Sequence, residues 1–222
     1  LKNKHEQDQV LYDIHNHCVN LNLREIYIHG YYKGESDEEP GVDWRQSTAF
    51  IKNLHLLDQE PHSPILVHLH SDGGCWQNGM AIYNTIQFSV SAITILSYSQ
   101  ASSMSGIILQ AAVPYRIMMP DCHFMLHHGS LEVGGTSQAV KSAVDFNERA
   151  CQRMLDIFAE NVVKGNYFSS RKSSTKETVM AYLDKKMQEK SDWYMDAEEA
   201  VHFGFADAVL GDKNYPDMAS LR

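Results

Sequence analysis

The sequence predicts an α/β fold, and three observations carry the prediction. From residue 24 to residue 128, short apolar β-branched runs alternate with segments of helical period, the pattern of strands interleaved with helices. The chain has 222 residues, 43% of them hydrophobic, enough for one substantial domain with room for an appendage. A crowd of small residues, Ser99–Gly106, joins the apolar run Ala92–Leu96 to a second one beginning at Ile107, as where a strand hands over to a helix.

Taken in order, residues 1–22 carry Val10, Leu11, Ile14 and Val19 at near-helical spacing and predict a short amphipathic helix. Arg24–Gly30 alternates and ends on glycine, a strand. Residues 34–41 form an acidic surface loop. Asp43-Trp44-Arg45-Gln46 reads as a capping box opening a helix to about Asp58, with Phe50, Ile51, Leu54 and Leu57 on its apolar face. Ile65–Leu69 is the next strand and ends in His70-Ser71-Asp72-Gly73-Gly74, where adjacent glycines permit unusual backbone angles. Met80, Ile82, Tyr83, Ile86 and Phe88 mark a helix. A strand at 92–97, the serine junction and a helix through Ala112 follow. Tyr115–Met119, a turn at Pro120-Asp121 and Cys122–His128 read as a strand pair or strand-turn-strand. Beyond it, Ser130–Gly135 is a short extended piece, and 136–164 is one long helix closed by Gly165. Ser174-Thr175-Lys176-Glu177 opens a helix to about Gln188. Asp196-Ala197-Glu198-Glu199 opens another that ends at Gly204, and Phe205–Leu210 is a last strand.

Composition narrows the function. The formal net charge is -9, which argues against a binder of nucleic acid or anionic membranes. No apolar run approaches the ~20 residues of a membrane span, and no secretory signal is visible. Cys18, Cys75, Cys122 and Cys151 show no CxxC spacing and fit reduced thiols, hence a cytoplasmic setting. The chain opens on Leu1 rather than Met, so an upstream segment is expected to have been removed or left out. His15, His17 and Cys18 are ligand types without a complete four-ligand pattern. There is no Walker A motif, no G-x-G-x-x-G after a strand, no H-E-x-x-H and no G-x-S-x-G.

The serine junction has two readings. Small residues allow close helix packing. Alternatively, a serine at a strand-to-helix turn stands clear of the sheet, with backbone N–H groups at the helix start facing a developing negative charge. Nucleophilic serine chemistry also needs a base and an acid to orient it. His127 and His128 are the available bases, and several aspartates are available to orient one of them.

Four stretches, in order, resemble the proteolytic subunit of the Clp (caseinolytic) protease family, a self-compartmentalising serine peptidase. His70-Ser71-Asp72-Gly73-Gly74 and the helix from Gly79 to Phe88 resemble the family's S-P-G-G and following helix. Gln100-Ala101-Ser102-Ser103-Met104 resembles Q-A-A-S-M, Met125-Leu126-His127-His128 resembles M-I-H-Q, and Ser191–Ala200 followed by Gly204 resembles D-x-F-x-S-A-x-E-A. The resemblance implies Ser103 as nucleophile, His127 as base and Asp192 as third member, with Asp196 the fallback. The Gly74 and Met104 backbone N–H groups would hold the oxyanion. His128, a strand neighbour, points to the opposite face. It further implies a crotonase-like spiral of ββα units with a protruding helical handle.

In that scheme residues 1–22 are an axial segment, 23–130 and 191–212 the head, and 131–190 the handle of a single domain. Handles join two seven-membered rings around a chamber, which offers Phe146, Met154 and Phe158 an interface role beside an intrachain one. The expected substrates are unfolded polypeptides fed by a partner AAA+ ATPase. That ATPase alone would use ATP, and no cofactor or metal is expected. Departures mark a divergent member: His70 and Asp72 for asparagine and proline, Ser105 for glycine, His128-Gly129 for glutamine-proline, and a longer acidic loop. The first three are expected beside the cleft. A phage head-maturation protease of the same fold and a catalytically silent ring subunit are the alternatives, and a crotonase-type acyl-CoA enzyme is disfavoured by the ordered Ser, His and Asp.

Overall fold

The computed structural model describes residues 4–29, 41–60, 63–171 and 173–221. In chain order the elements are α1 (Lys4–His17), β1 (Val19–Asn20), β2 (Glu25–His29), α2 (Trp44–Leu57), β3 (Ile65–Ser71), α3 (Trp76–Gln87), β4 (Ile93–Ser102), α4 (Met104–Leu109), β5 (Arg116–Met118), β6 (His123–Leu126), α5 (Ser137–Val162), α6 (Asn166–Ser169), α7 (Lys176–Lys190), β7 (Trp193–Met195), α8 (Ala197–Phe203) and β8 (Ala208–Val209). Short 3-10 turns follow α4 (Gln110–Ala112) and lie near the end of the chain (Met218–Leu221).

The strands make one mixed sheet in the order β1-β2-β3-β4-β5-β8, with β6 branching from β4 and carrying β7. The path from β2 through β8 is parallel, and β1 runs antiparallel to β2. Interior parallel strands are covered on both faces, so they read as continuous apolar runs. Val67, Leu69 and Ile95 face the helices with Phe50, Leu54, Ile82 and Ile108, while Leu66, Leu96 and Ile117 face the other way and are covered by Ala208 and Leu221.

β4 is the axis of this arrangement. Its first half pairs with β5, from Ile95↔Arg116 to Ser97↔Met118, and its last three residues pair with β6, from Gln100↔His123 to Ser102↔Met125. β5 and β6 therefore do not pair with each other. The turn at Pro120-Asp121 passes the chain from one stretch of β4 to the next, and both strands stay parallel to it. The expected end of β4 at residue 97 falls short for the same reason, since neighbours on both sides carry the strand through polar Ser97–Gln100 to Ser102.

Several local expectations need revision. The N-terminal helix stops at His17 and buries none of its side chains, because Val19 turns into β1 against Ile26. Asp43 caps α2 through the Arg45 and Gln46 amides, but the Gln46 side chain donates to the His29 carbonyl instead of closing a box. Thr175, not Ser174, caps α7, in a reciprocal box with Thr178. Gly165 is not a left-handed helix stop. Its φ is -63°, and a Cβ there would collide with the Phe203 carbonyl and Gly204, so close packing of α5's end on α8 requires it. Phe88 caps α3 and lies exposed rather than on its apolar face. The acidic-loop reading falls almost wholly on residues outside those described.

The helix at 137–162 divides in function. Met154, Leu155, Phe158 and Val162 are buried in the chain's own core, whereas Phe146 and the turns before it are exposed. Phe124, Phe158 and Phe205 meet in a trio with centroids 4.7–6.0 Å apart, which seats β6 and α5 together. A buried cation closes the other end. Arg116 donates to both Asp207 carboxylate oxygens, to Gln110 Oε1 and to the Gly204 carbonyl at 2.6–2.9 Å. Removing one partner of such a pair leaves an uncompensated buried charge. Asp207→Ala is expected to lower the free energy of unfolding by about 3 kcal/mol in urea titration, with the Arg116→Met/Asp207→Leu pair recovering much of that loss.

Candidate active site

Sheet register brings the predicted site residues together. Parallel pairing sets Ser102 against Met125, and antiparallel pairing of β6 with β7 sets Leu126 against Trp193. The next residue along each chain path is therefore Ser103, His127 and Asp192. Ser103 Oγ lies 2.8 Å from His127 Nε2, and His127 Nδ1 lies 3.2 Å from Asp192 Oδ1. Trp193 holds Asp192 in place by packing edge-on against Phe203 and Phe205. The Asp192 side chain keeps 48% of its exposure and that of His127 only 27%, so the carboxylate faces water on one side and the imidazole on the other.

Ser103 has φ +55° and ψ -125°, a region L residues rarely enter. The turn frees its side chain from both β4 and α4, while its amide donates to the Met125 carbonyl at 3.0 Å. The neighbouring small residues divide by role. Ser102 and Ser105 are buried, and neither hydroxyl finds a partner among the described residues.

The glycine pair lies against this turn. Val42 donates to the Gly73 carbonyl at 2.6 Å and accepts from the Cys75 amide at 2.8 Å. In a strand pairing of this kind the residue between, Gly74, turns its own N–H away from Val42. That N–H and the Met104 N–H make no hydrogen bond among the described residues. A Cβ on Gly73 would meet Ser103 Cβ at 2.7 Å, and one on Gly74 would meet the Val42 backbone, so both glycines are required for the approach. Gly79 serves Met104 in the same way: a Cβ there would strike Met104 Cγ, Sδ and Cε, the farthest at 2.7 Å.

These groups open on a cavity of about 700 Å³. Gly74, Ser103 and His127 form its polar end, and Ile107, Leu126, Phe146 and Met154 are among its apolar walls. Of the departures noted in the sequence, only His128-Gly129 borders it among the described residues. His70, Asp72 and Ser105 are not among its lining; His70 and Asp72 lie exposed at and just after the end of β3, and Ser105 is buried in α4. Cys151 also reaches the cavity, but burial, with Asp184 and Glu148 adding, pushes its thiol up, which disfavours thiolate chemistry. Burial likewise pushes Cys122 up to about 11. Among the described residues no group of three or more His, Cys, Asp or Glu side chains is set to hold a metal ion.

The alternatives left by the sequence separate on geometry. His128 turns away from Ser103 and meets Asp184 at 2.9 Å. Asp196 caps α8, accepting from the Glu199 amide at 2.7 Å. Val42 and Asp184 escaped sequence reasoning: the first contributes only backbone, and the second is one acid among many on a polar helix.

The family model for the Clp protease matches residues 38–213. The chain belongs to the Clp protease family. It is 28% identical over 166 residues to the ATP-dependent Clp protease proteolytic subunit 3 of Synechococcus sp. (strain CC9902), spanning 74% of this chain and 76% of that one. It is 27% identical over 176 residues to the proteolytic subunit 2 of Prochlorococcus marinus (strain MED4), spanning 78% and 79%. A solved ClpP1 mutant from Listeria monocytogenes superposes with a TM-score of 0.68 at 18% identity, covering 91% of this chain and 96% of that one. The fold is thus the Clp protease/crotonase-like one, in a divergent family member.

The two aspartates should also differ in stability. Asp196→Ala, which loses a helix cap, is expected to cost about 1 kcal/mol, while Asp192→Ala at a half-exposed site should leave the thermal midpoint nearly unchanged. Differential scanning calorimetry of both variants checks this.

Proposed function

We propose that the chain is a serine endopeptidase that cleaves unfolded polypeptides inside an oligomeric chamber. The observation that supports it best is the hydrogen-bonded run Ser103–His127–Asp192 beside two unbonded N–H groups. In this reading Ser103 Oγ attacks the peptide carbonyl and His127 Nε2 takes its proton. Asp192 holds Nδ1–H, fixes the tautomer and supports the imidazolium. The carbonyl oxygen, now negative, is received by the Gly74 and Met104 N–H groups, whose orientation is set before reaction and costs nothing to arrange. His127 then returns the proton to the leaving amine. An acyl-enzyme on Ser103 remains and is hydrolysed by water through the same groups.

The apolar cavity beside Ser103 would take a large apolar side chain of the substrate. Handle residues from 131 to 190 would join stacked heptameric rings. The exposed Leu131, Val133 and Val144 of that segment suit burial against another copy. α1, which buries none of its residues in this chain, would stand near the axial pore. A partner AAA+ ATPase would unfold and feed substrate, so nucleotide is used there and no cofactor here. Four free thiols fit a cytoplasmic location.

Fluorophosphonate labelling combined with particle mass in solution tests the reading. A ring-sized particle labelled once per chain is expected, with labelling abolished in Ser103→Ala. An assembled particle that never labels would establish the silent-subunit alternative. Peptide cleavage unaffected by any ATPase, with cleavage of a capsid or scaffold protein, would favour head maturation.

Asp192→Asn presents the wrong tautomer and is expected to lower kcat by about three to four orders of magnitude. Asp196→Asn should change kcat less than threefold. Equal effects in steady-state peptide hydrolysis would undo the assignment.

A further inference from the structure

Two consecutive histidines follow β6, and two carboxylates hold them, one within α7 and one two residues past its end. His127 meets Asp192 at 3.2 Å, and His128 Nε2 meets Asp184 Oδ1 at 2.9 Å. The second oxygen of Asp184 accepts from Gln188 at 2.8 Å, which fixes the carboxylate on its own helix. From α5, the Cys151 thiol donates to the His128 carbonyl at 3.4 Å. Residue 128 is therefore gripped at its ring by α7 and at its backbone by α5.

The chain around it has little other support. Pairing of β6 with β7 stops at Leu126. From His127 to Gly135 no backbone group hydrogen-bonds to another backbone group among the described residues. Gly129 follows with φ +77° and nothing within 4 Å of where its Cβ would be. The peptide joining residues 127 and 128 is thus tethered on its far side through His128 alone.

We propose that His128 and Asp184 are positioning residues for His127, a clamp through which the seating of α7 sets the alignment of the base with Ser103. This rests on the reading of Ser103 and His127 as nucleophile and base. α7 carries Asp184, and Asp192 follows two residues after its end, past Ser191 at φ +61°. Asp184 thus moves with α7, while Asp192 is shared between the end of α7 and the sheet, where Trp193 anchors it. α7 is in turn pinned to α5 by Lys176 Nζ on Asp156 Oδ1 at 2.6 Å. The clamp therefore refers the base to the handle helices as well as to the sheet. Loss of the clamp leaves Ser103, the glycine pair and the cavity in place and lets the imidazole drift. A misplacement of about 1 Å costs on the order of a hundredfold in rate.

The test is kcat and KM for a fluorogenic peptide, measured on intact particles and normalised to chains that label at Ser103. The variants are Asp184→Ala, His128→Ala, their double and His128→Gln. Alanine is the best helix former and residue 184 is 40% exposed in its side chain, so α7 persists. Each alanine variant is expected to lose about tenfold to a hundredfold in kcat with KM within twofold. The double should be no worse than either single. His128→Gln, whose amide reaches the carboxylate, should recover most of the loss. Unchanged kcat in both single variants, or losses that multiply in the double, would overturn the clamp. Failure of the unmutated particle to cleave or label would instead sink the peptidase reading, an outcome separable from the first.

Discussion

The pairing of three short strand ends governs this structure. β6 lies between the last residues of β4, which run parallel to it, and β7, which runs antiparallel. Strand side chains alternate between faces, so a slip of one residue in the β4–β6 pairing would present His128 to Ser103, and a slip in the β6–β7 pairing would carry Asp192 away from His127. Register is specified where one face is buried, and Phe124 supplies that burial through its contacts with Phe158 and Phe205. The apolar packing of one phenylalanine thus decides which imidazole reaches the serine.

The surrounding parts keep that geometry rigid from several directions. α4, only six residues long, is held at its start by the Ser103–Met125 bond. At its end Gln110 bonds Arg116 and the Phe205 carbonyl, while Asn161 reaches the Gln110 carbonyl. The glycine pair is held by backbone bonding to Val42 and by the absence of side chains that would push it off Ser103. Such contacts fix the directions of N–H groups without spending any side chain on them. Under the proposed mechanism, groups set in advance are what stabilisation of the oxyanion requires.

Much of this was legible in the sequence because the signals are local. β-branched runs marked β2, β3 and β4, helical period marked α2, α3 and α5, and Asp43 and Asp196 announced their helices. The serine junction and the histidine pair could be located the same way. The choice between His127 and His128, and between Asp192 and Asp196, depends on pairing between residues 23 positions apart in β4 and β6 and 67 or more apart in β6 and β7, and no local pattern records it. The resemblance to a family supplied it instead. The same limit hid the Arg116 network, whose partner Asp207 lies 91 residues away, and the extension of β4 through polar Ser97–Gln100, which neighbouring strands impose. Polar residues with distant partners look like surface until the fold assembles them.

The backbone at Ser103 has a cost of its own. A serine at φ +55° is held where glycine would rest with less strain, at an expense of about 1–3 kcal/mol. Ser103→Gly would relieve that strain and discard the hydroxyl. With Ser103 as the proposed nucleophile, stability and reactivity are opposed at a single residue. A screen that rewards heat resistance alone would drift toward losing this serine, and any library built to strengthen the fold has to hold position 103 fixed by design.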